Sequence, residues 1–339
     1  MSKNWIRHFE LMLLDNEGKG INFTDFKVTF NIEWYNTSFP RAAIFKIYNL
    51  SQNTINRITG TEFSKLRLIA GYDGSTSPDG QKEEANFGEI FSGDIRYTIT
   101  GRDNPTDTFI LIQAIDGHNA FINASINQTV AAGYTVADIN NLLMRNLAPF
   151  GITQGIMPEM PTTVFPRGKT MYGMTRDYLD NVAKQCKATW QFVNGKVDMV
   201  PNDKYVHEAI VLNSNTGLIG MPQQTIGSGV NVRCLINPNI RLNGLIQLNQ
   251  ESVYRTTLSS QEVQMAGGRL EDQNDNGNVT VSGALSQPAS IATDGVYIVR
   301  GISYTGDTRG NPFYMDMMCE ARGAKDLLTS QSISRSAGG

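Results

Sequence analysis

The sequence lacks the features that mark a secreted, membrane-spanning or metal-dependent protein. It has only three cysteines and three histidines in 339 residues, too few for a disulfide framework or a metal cluster. Cys186, Cys234 and Cys319 each lie in an apolar pattern, which predicts buried free thiols. No stretch approaches the ~20 apolar residues of a membrane-spanning helix. Charged residues interrupt the short apolar run at the amino terminus, which therefore does not resemble a signal peptide. We expect folding in a reducing cytoplasm and no membrane binding by the protein itself.

Charge is also scarce. Charged residues make up 18% of the chain and the formal net charge is −3, which argues against a protein that binds nucleic acid by neutralising phosphates. The same balance is compatible with a surface past which nucleic acid slides without being held. The 40% hydrophobic content and the length indicate a folded protein of two or three domains, and the 32 glycines are typical of β-rich chains with many turns.

Catalytic constellations are missing as well. The histidines lie far apart, at His8, His118 and His207, and neither an HExxH nor a CxxC motif accompanies them. No Gly-x-Ser-x-Gly elbow is present. Hydrolysis of glycans would need a pair of carboxylates in a cleft. The candidates, which nothing in the sequence pairs, are Glu89, Asp94, Asp116 and Asp177. We therefore predict no catalytic, cofactor-binding or metal-binding residues, and no cofactor.

Two partial motifs are better explained as turns. Arg167-Gly168-Lys169-Thr170 resembles the end of a phosphate-binding loop, but position 163, where that motif needs glycine, is threonine. Residues 272–278 (DQNDNGN) resemble the start of a calcium loop, but the carboxylate due at its twelfth position is replaced by Gly283. The sequence leaves open whether residues 272–278 hold a cation.

Residues 1–117 read as a β domain. Strand candidates are interrupted by one short helix, Gln52–Ile58, which Ser51 caps and Gly60 ends. In the strand around Phe45, alternation places Phe45 and Ile47 on one face. A Gly- and Pro-containing stretch at residues 71–88 predicts an exposed loop. The strand candidates are Ile6–Leu14, Asp25–Tyr35, Ala42–Leu50, Lys65–Tyr72, Glu89–Thr100 and Thr108–Ile115.

Residues 118–204 form the part with the strongest helical signals. A helix at about 136–148 begins with a Thr135–Asp138 capping box, and a second is expected at about 175–187. A hairpin at 189–200 turns at Asn194-Gly195, the strongest short hairpin signal. The middle region is thus a small α/β module.

Residues 205–322 return to strands. Gly217–Asn249 alternates as two strands around a polar connection, and residues 222–225 favour a turn. Further strands are predicted at Gly295–Thr305 and Phe313–Ala321. Residues 250–294 read as an insertion that contains some hairpin structure, and residues 323–339 as a flexible tail. The fold class is therefore mainly β with a small α/β module.

The chain resembles the baseplate hub proteins of contractile-tailed, Mu-type bacteriophages, which are related to the amino-terminal part of type VI secretion VgrG spike proteins. The resemblance covers about residues 25–322. The segments at 142–152, 178–183 and 194–197 form one group within it. The others that carry it are Ile44–Leu50, Ile90–Ile95, Gly217–Asn249 and Tyr304–Tyr314.

The resemblance implies a structural, non-enzymatic adaptor. Two tail-tube-like β-barrel or sandwich domains per subunit, repeated in a homotrimer, would join the six-fold tail tube to the three-fold central spike and line a passage for DNA. Implied partners are the tail tube or tube-initiator protein and the spike, with tape measure and baseplate wedge proteins as further possibilities. The implied location is the virion tail baseplate, assembled in the host cytoplasm. Two alternatives stay open: a peptidoglycan hydrolase used in penetration, and a tail tube or tube-initiator subunit.

Overall fold

The fold is mainly β, as predicted. A computed structural model describes residues 6–60, 62–74, 85–202, 204–224, 229–248, 270–273, 279–282 and 295–321. These residues form twenty strands, four α-helices and one 3₁₀ turn. No helix in these ranges is both long enough and apolar enough to cross a bilayer.

All six strands predicted in the first part of the chain are present. The helix is present too: its cap is the Ser51 side chain, which accepts a hydrogen bond from the Thr54 N–H. Phe45 and Ile47 are fully buried while Ile44 is exposed, which confirms the alternation. The three-residue strand β2 gave no sequence signal. The elements are β1 Arg7–Leu14, β2 Gly20–Asn22, β3 Val28–Tyr35, β4 Ala42–Tyr48, α1 Gln52–Thr59, β5 Lys65–Tyr72, β6 Asn86–Arg102 and β7 Thr108–Ile115.

Both predicted helices and the hairpin occur in the middle of the chain. The Thr135 side chain accepts a hydrogen bond from the Asp138 N–H, and the Asp138 carboxylate accepts one from the Thr135 N–H. The predicted capping box is therefore present. Asn194 and Gly195 both have positive φ (50° and 73°), as a two-residue hairpin turn requires. The elements are α2 His118–Asn123, β8 Ser125–Val130, α3 Val136–Leu147, a 3₁₀ turn Ala148–Phe150, β9 Thr153–Gln154, β10 Lys169–Met174, α4 Thr175–Gln185, β11 Ala188–Val193 and β12 Lys196–Pro201.

The last part of the chain is more strand-rich than predicted. The described residues of 217–249 form three strands in place of two, because residues 222–224 belong to a strand and do not turn the chain, while residue 225 lies outside the described residues. Pro222 lies in a strand at the end of the sheet, within the irregular stretch where the register with β15 is interrupted between Ile219 and Gln223. The elements are β13 His207–Leu212, β14 Leu218–Gln224, β15 Gly229–Leu235, β16 Gly244–Leu248, β17 Leu270–Gln273, β18 Val279–Ser282, β19 Val296–Asp307 and β20 Phe313–Ala321.

Strands from both ends of the chain share one thirteen-stranded sheet. Its order is β14-β15-β20-β19-β3-β4-β7-β6-β5-β1-β2, and β16, which also carries β13, pairs with β19. The antiparallel pairing of β19 with β3 sets Gly301 opposite Tyr35 and Asp307 opposite Thr29. This contact joins the first and last parts of the chain. The division into domains 1–117, 118–204 and 205–322 stays a prediction.

Two hydrophobic cores correspond to the large sheet and the middle module. The larger core combines residues of both chain ends, such as Leu66 and Met317, and includes Val193 of β11. The smaller core lies within the middle module, where α3 and α4 pack Leu143 and Leu179 together with Trp190. Burying side chains of this size contributes about 1.5–3 kcal/mol each. The middle module is therefore stabilised largely by its own apolar contacts.

Some predicted features lie partly or wholly outside the described residues. Most of the loop predicted at 71–88, the cation-like residues 274–278 and the tail 323–339 are among them. Within 250–294 the described residues are β17 and β18, which pair antiparallel with each other.

Candidate functional site

The four carboxylates considered as candidates for glycan hydrolysis each contact a different residue. The Glu89 carboxylate accepts a hydrogen bond from Arg67 Nε at 2.5 Å, and Asp94 Oδ2 accepts one from the Asn119 N–H at 2.9 Å. Asp177 lies on the exposed side of α4, 3.8 Å from Arg176. In the described part of the chain, no hydrogen bond joins one carboxylate of this group to another. The prediction that they are not catalytic stays a prediction.

Asp116 is the buried member of the group and forms an ion pair with Arg41. Both side chains are nearly inaccessible, with 1% and 2% of their surface exposed. Asp116 Oδ2 accepts hydrogen bonds from Arg41 Nε at 3.1 Å and Arg41 Nη2 at 2.5 Å. Arg41 also contacts β6, because its Nη1 donates a hydrogen bond to the Ile90 carbonyl at 3.2 Å.

The same ion pair forms hydrogen bonds with the turn of the β11–β12 hairpin. The Asn194 N–H donates to Asp116 Oδ2 at 2.7 Å, the Gly195 N–H reaches Asp116 Oδ1 at 3.4 Å, and Arg41 donates to the Asn194 side chain. Arg41 also lies over the Trp34 ring, 4.7 Å from its centroid. Arg41 and Asp116 therefore connect the large sheet to the middle module through buried polar contacts.

A second polar contact at the same boundary involves Gln191 of β11. Its side-chain oxygen accepts from Trp34 Nε1 at 2.8 Å, and its amide nitrogen donates to the carbonyls of Tyr35 and Thr37. Gln191 is 5% exposed, and all of these partners are on or beside β3. We did not predict a role for Arg41 or Gln191, because their partners lie far away in sequence.

The three histidines are separate, as their spacing predicts. His8 in β1 stacks on Phe87 and lies within hydrogen-bond distance of Glu10 and Asp73. His118 begins α2, where burial and the charge of Arg96 lower its pKa and Asp94 partly opposes them. His207 begins β13. Across the described ranges, no three His, Cys, Asp or Glu side chains form a group suited to a metal ion.

The cysteines are free, but one is less buried than predicted. Burial raises the pKa of the Cys234 and Cys319 thiols, which are inaccessible in the larger core. Cys186 is only half-buried, because it ends α4 at the rim of the smaller core. The prediction of three buried thiols is therefore wrong for Cys186.

The structure gives the partial phosphate-loop motif a different role. Lys169 and Thr170 begin strand β10, which pairs antiparallel with β8. A phosphate-binding loop needs a helix that begins at this point. In the calcium-like motif, the residues that would supply the turn are outside the described ranges.

The outer face of the large sheet from β15 to β6 is accessible. Two of its cations pair with carboxylates: Arg233 forms a bidentate pair with Asp316, and Lys46 contacts both oxygens of Asp103 at 2.6 Å. Another cation, the exposed Arg96 of β6, donates to the Gln113 side-chain oxygen at 3.4 Å. Amides, hydroxyls and aromatic rings supply most of the rest. The polar members are Thr29, Asn31, Gln113, Asn231, Ser303 and Thr305, and the exposed apolar members are Tyr35, Ile44, Tyr97, Ile99 and Met318.

A groove of about 680 Å³ lies at the β14 end of this face. Met221 and Met318 border it and are 61% and 55% exposed, and Ile219 and Tyr35 contribute further apolar surface. The Arg233–Asp316 pair also lines the groove. Gln223, Asn231 and Ser303 line it as well, so the groove combines polar and apolar surface.

Solved structures with a similar fold include phage tail proteins. No protein-family model matches the chain, and no curated protein matches its sequence. The 43 kDa tail protein of prophage MuSo2 from Shewanella oneidensis aligns with a TM-score of 0.53 at 10% identity, over 94% of this chain and 99% of that protein. The tail protein from Neisseria meningitidis MC58 also aligns with a TM-score of 0.53, at 8% identity, over 94% of this chain and 98% of that one. An E. coli component of the type VI secretion system aligns at 0.46 and 8% identity, over 93% and 76% of the two chains. The predicted resemblance to phage tail proteins is confirmed at the level of the fold.

Proposed function

We propose that this chain is a structural hub of a phage tail baseplate. Three copies would form a ring that joins the six-fold tail tube to the three-fold central spike, with DNA passing through the middle. The observation that carries the proposal is the extent of the fold match. It includes 94% of this chain and nearly all of two tail proteins, so the match involves the whole architecture and not one common module.

The arrangement of strands supports an adaptor. Both ends of the chain supply several strands each to one sheet, and a separate middle module is attached to it. A ring of three such chains would carry six strand-rich units, the number that a six-fold tube presents. The β3–β19 pairing would hold the two units of each chain in a fixed relation.

The charge pattern supports passage of DNA without binding. On the outer face of the sheet between β15 and β6, Lys46 and Arg233 are paired with carboxylates, whereas Arg96 of β6 donates to the Gln113 side chain. Unpaired lysine and arginine side chains give proteins their salt-dependent hold on the phosphate backbone. A wall on which carboxylates neutralise cations such as Lys46 and Arg233 would hold DNA less tightly and let it move along.

The mass of the purified protein tests the ring. Light scattering should give about three times the 37.4 kDa of one chain, either for the protein alone or for its share of a complex with the spike protein. Class averages of the particles in electron micrographs should show three-fold symmetry, whereas six-fold symmetry would indicate a tube or tube-initiator subunit. A stable monomer with and without the spike protein would contradict the proposal.

The non-enzymatic part has its own test. A zymogram on peptidoglycan between pH 5 and 8 should show no clearing, because the carboxylates described above are held by structural partners. Clearing by the wild type that is lost in an Asp177→Asn variant would instead support the hydrolase alternative. Asp177 is the sharpest choice, since it is the most exposed of the four carboxylates.

A further inference from the structure

Strand β13 is the least protected edge of the large sheet. At one end of the sheet, β14 contains Gly220 and Pro222 and pairs irregularly with β15, and at the other end β2 has only three residues. Proline, bulges and short strands are devices that keep a sheet edge from pairing with another strand. β13 contains neither proline nor glycine and pairs with β16 on one side only, among the strands that the structure describes.

The composition of β13 favours pairing with a further strand. From Ala209 to Leu212 it runs in regular register along β16, and this stretch is uncharged and rich in β-branched residues. Val211 is 51% exposed. One backbone group is already used, because the Thr216 hydroxyl donates to the Val211 carbonyl at 2.9 Å. The available edge is therefore short and lies around Ala209 and Val211.

Strands β17 and β18 form a hairpin that needs support. Among the described strands they pair with each other alone, from Leu270 opposite Ser282 to Gln273 opposite Val279, as a sheet of two strands. An isolated two-stranded hairpin of this kind is marginally stable at best in water. A third strand would supply the missing hydrogen bonds.

The charged residues of β17 make β18 the more favourable strand for pairing with β13. β17 carries Glu271 and Asp272, and β13 carries Glu208, so a β17–β13 pairing would bring like charges together. β18 has the sequence Val-Thr-Val-Ser, which is uncharged and β-prone.

The chain around the hairpin is long enough to reach another copy. Residues 249–269 connect it to β16, and residues 283–295 connect it to β19. The shorter connection spans roughly 40 Å when extended. That is about twice the radius of gyration of ~20 Å expected for a chain of this length.

We propose that β18 of one copy pairs with the β13 edge of the next copy in the ring. A closed ring needs two different surfaces that fit each other on every subunit, and this chain carries an open edge and an unsupported hairpin. The inference rests on the proposed oligomeric hub and names the contact that would close it.

Cysteine cross-linking tests the contact in the full-length protein. In a Cys186→Ser background, one chain carries Val211→Cys and a second chain carries a cysteine at position 279, 280 or 281, which allows for the unknown register. A disulfide requires Cα atoms about 4.4–6.8 Å apart. After mixing and oxidation with copper phenanthroline, we expect a cross-linked dimer in at least one mixture and none from either chain alone.

The outcomes separate this inference from the proposed function. A wild type of trimeric mass with no cross-link in any mixture would overturn the inference and leave the hub proposal standing. A wild type of monomeric mass would contradict both. A cross-link confined to a single chain, seen when both cysteines are in one polypeptide, would show that the hairpin pairs within its own subunit and would also overturn the inference.

A matched pair of lysine variants gives an independent readout. Lysine on an edge strand opposes pairing with a further strand. Val211→Lys should lower the mass towards that of one chain, whereas Met221→Lys on the blunted β14 edge should keep the wild-type mass. Both positions are more than half exposed, so neither variant should unfold the protein. Equal masses for the two variants would count against the β13 contact.

Discussion

The Arg41–Asp116 pair offers the sharpest test of how the middle module is attached. Removing one partner of a buried ion pair costs about 3–5 kcal/mol, because the other charge stays buried without compensation. Arg41→Met leaves Asp116 with the N–H groups of Asn194 and Gly195, so we expect a loss near the lower end, about 3 kcal/mol.

Asp116→Ala should be the more damaging substitution. It leaves the Arg41 guanidinium with neutral acceptors only and also removes the acceptor of the Asn194 and Gly195 N–H groups. We expect about 5 kcal/mol. The double variant should lose clearly less than the sum of the two, since no orphaned charge remains. Urea unfolding followed by tryptophan fluorescence measures these values, with Trp34 next to Arg41 as a reporter.

A surface pair provides the control. Lys19 and Glu17 are 3.1 Å apart but 81% and 74% exposed, so Lys19→Met should leave the urea midpoint unchanged. If Arg41→Met lost less than about 1 kcal/mol, or if the two single losses simply added, the buried pair would not have the coupling expected of it.

Three further changes test individual contacts by the same urea assay. Asn140→Leu should stabilise the protein by about 1 kcal/mol, because the buried Asn140 side-chain oxygen has no hydrogen-bond partner in the described structure. Leucine has the same branched shape as asparagine. A loss of stability would show that the amide is satisfied. Asp198→Asn should raise the urea midpoint at pH 7. Burial raises the pKa of Asp198, and the Ile156 N–H and nearby cations lower this pKa by a smaller amount. A raised folded-state pKa makes the ionised form destabilising, so the gain should shrink as the pH falls towards the ordinary aspartate pKa, and a gain independent of pH would contradict this cause. Gly195→Ala should cost about 1 kcal/mol, since φ is 73° and only strain opposes the methyl group.

Local patterns predicted most of the elements. The alternation in β4 and β15, the Thr135 capping box and the Asn-Gly turn each depend on residues within a few positions of one another. The structure contains all of them where the sequence placed them. Strand β14 was missed because Pro222 and Gly220 are turn signals, and only an edge position in the sheet accommodates them in a strand.

Contacts between distant residues were not predictable in this way. Nothing in the sequence near Trp34 indicates that its partner is Gln191, 157 residues away. Asp116 could be named as a candidate carboxylate, but its role depends on Arg41 and on the backbone of a hairpin nearly eighty residues later. The sequence therefore indicated local structure better than the long-range contacts that hold each side chain.

The two kinds of attachment in this fold suit the proposed adaptor in different ways. The first and last strand sets share a ladder of backbone hydrogen bonds and one apolar core, so relative movement between them would break many contacts at once. The middle module instead has its own core and meets the sheet through the polar contacts of Arg41, Asp116 and Gln191 together with the buried Val193. Polar boundaries of this kind can open without exposing a large apolar surface. The proposed hub would need its strand-rich units to stay rigid against the tube while the middle module adjusts to a neighbour. A shared strand ladder and a partly polar module boundary would allow both. The Arg41 and Asp116 variants should therefore weaken the module's attachment before they weaken the sheet.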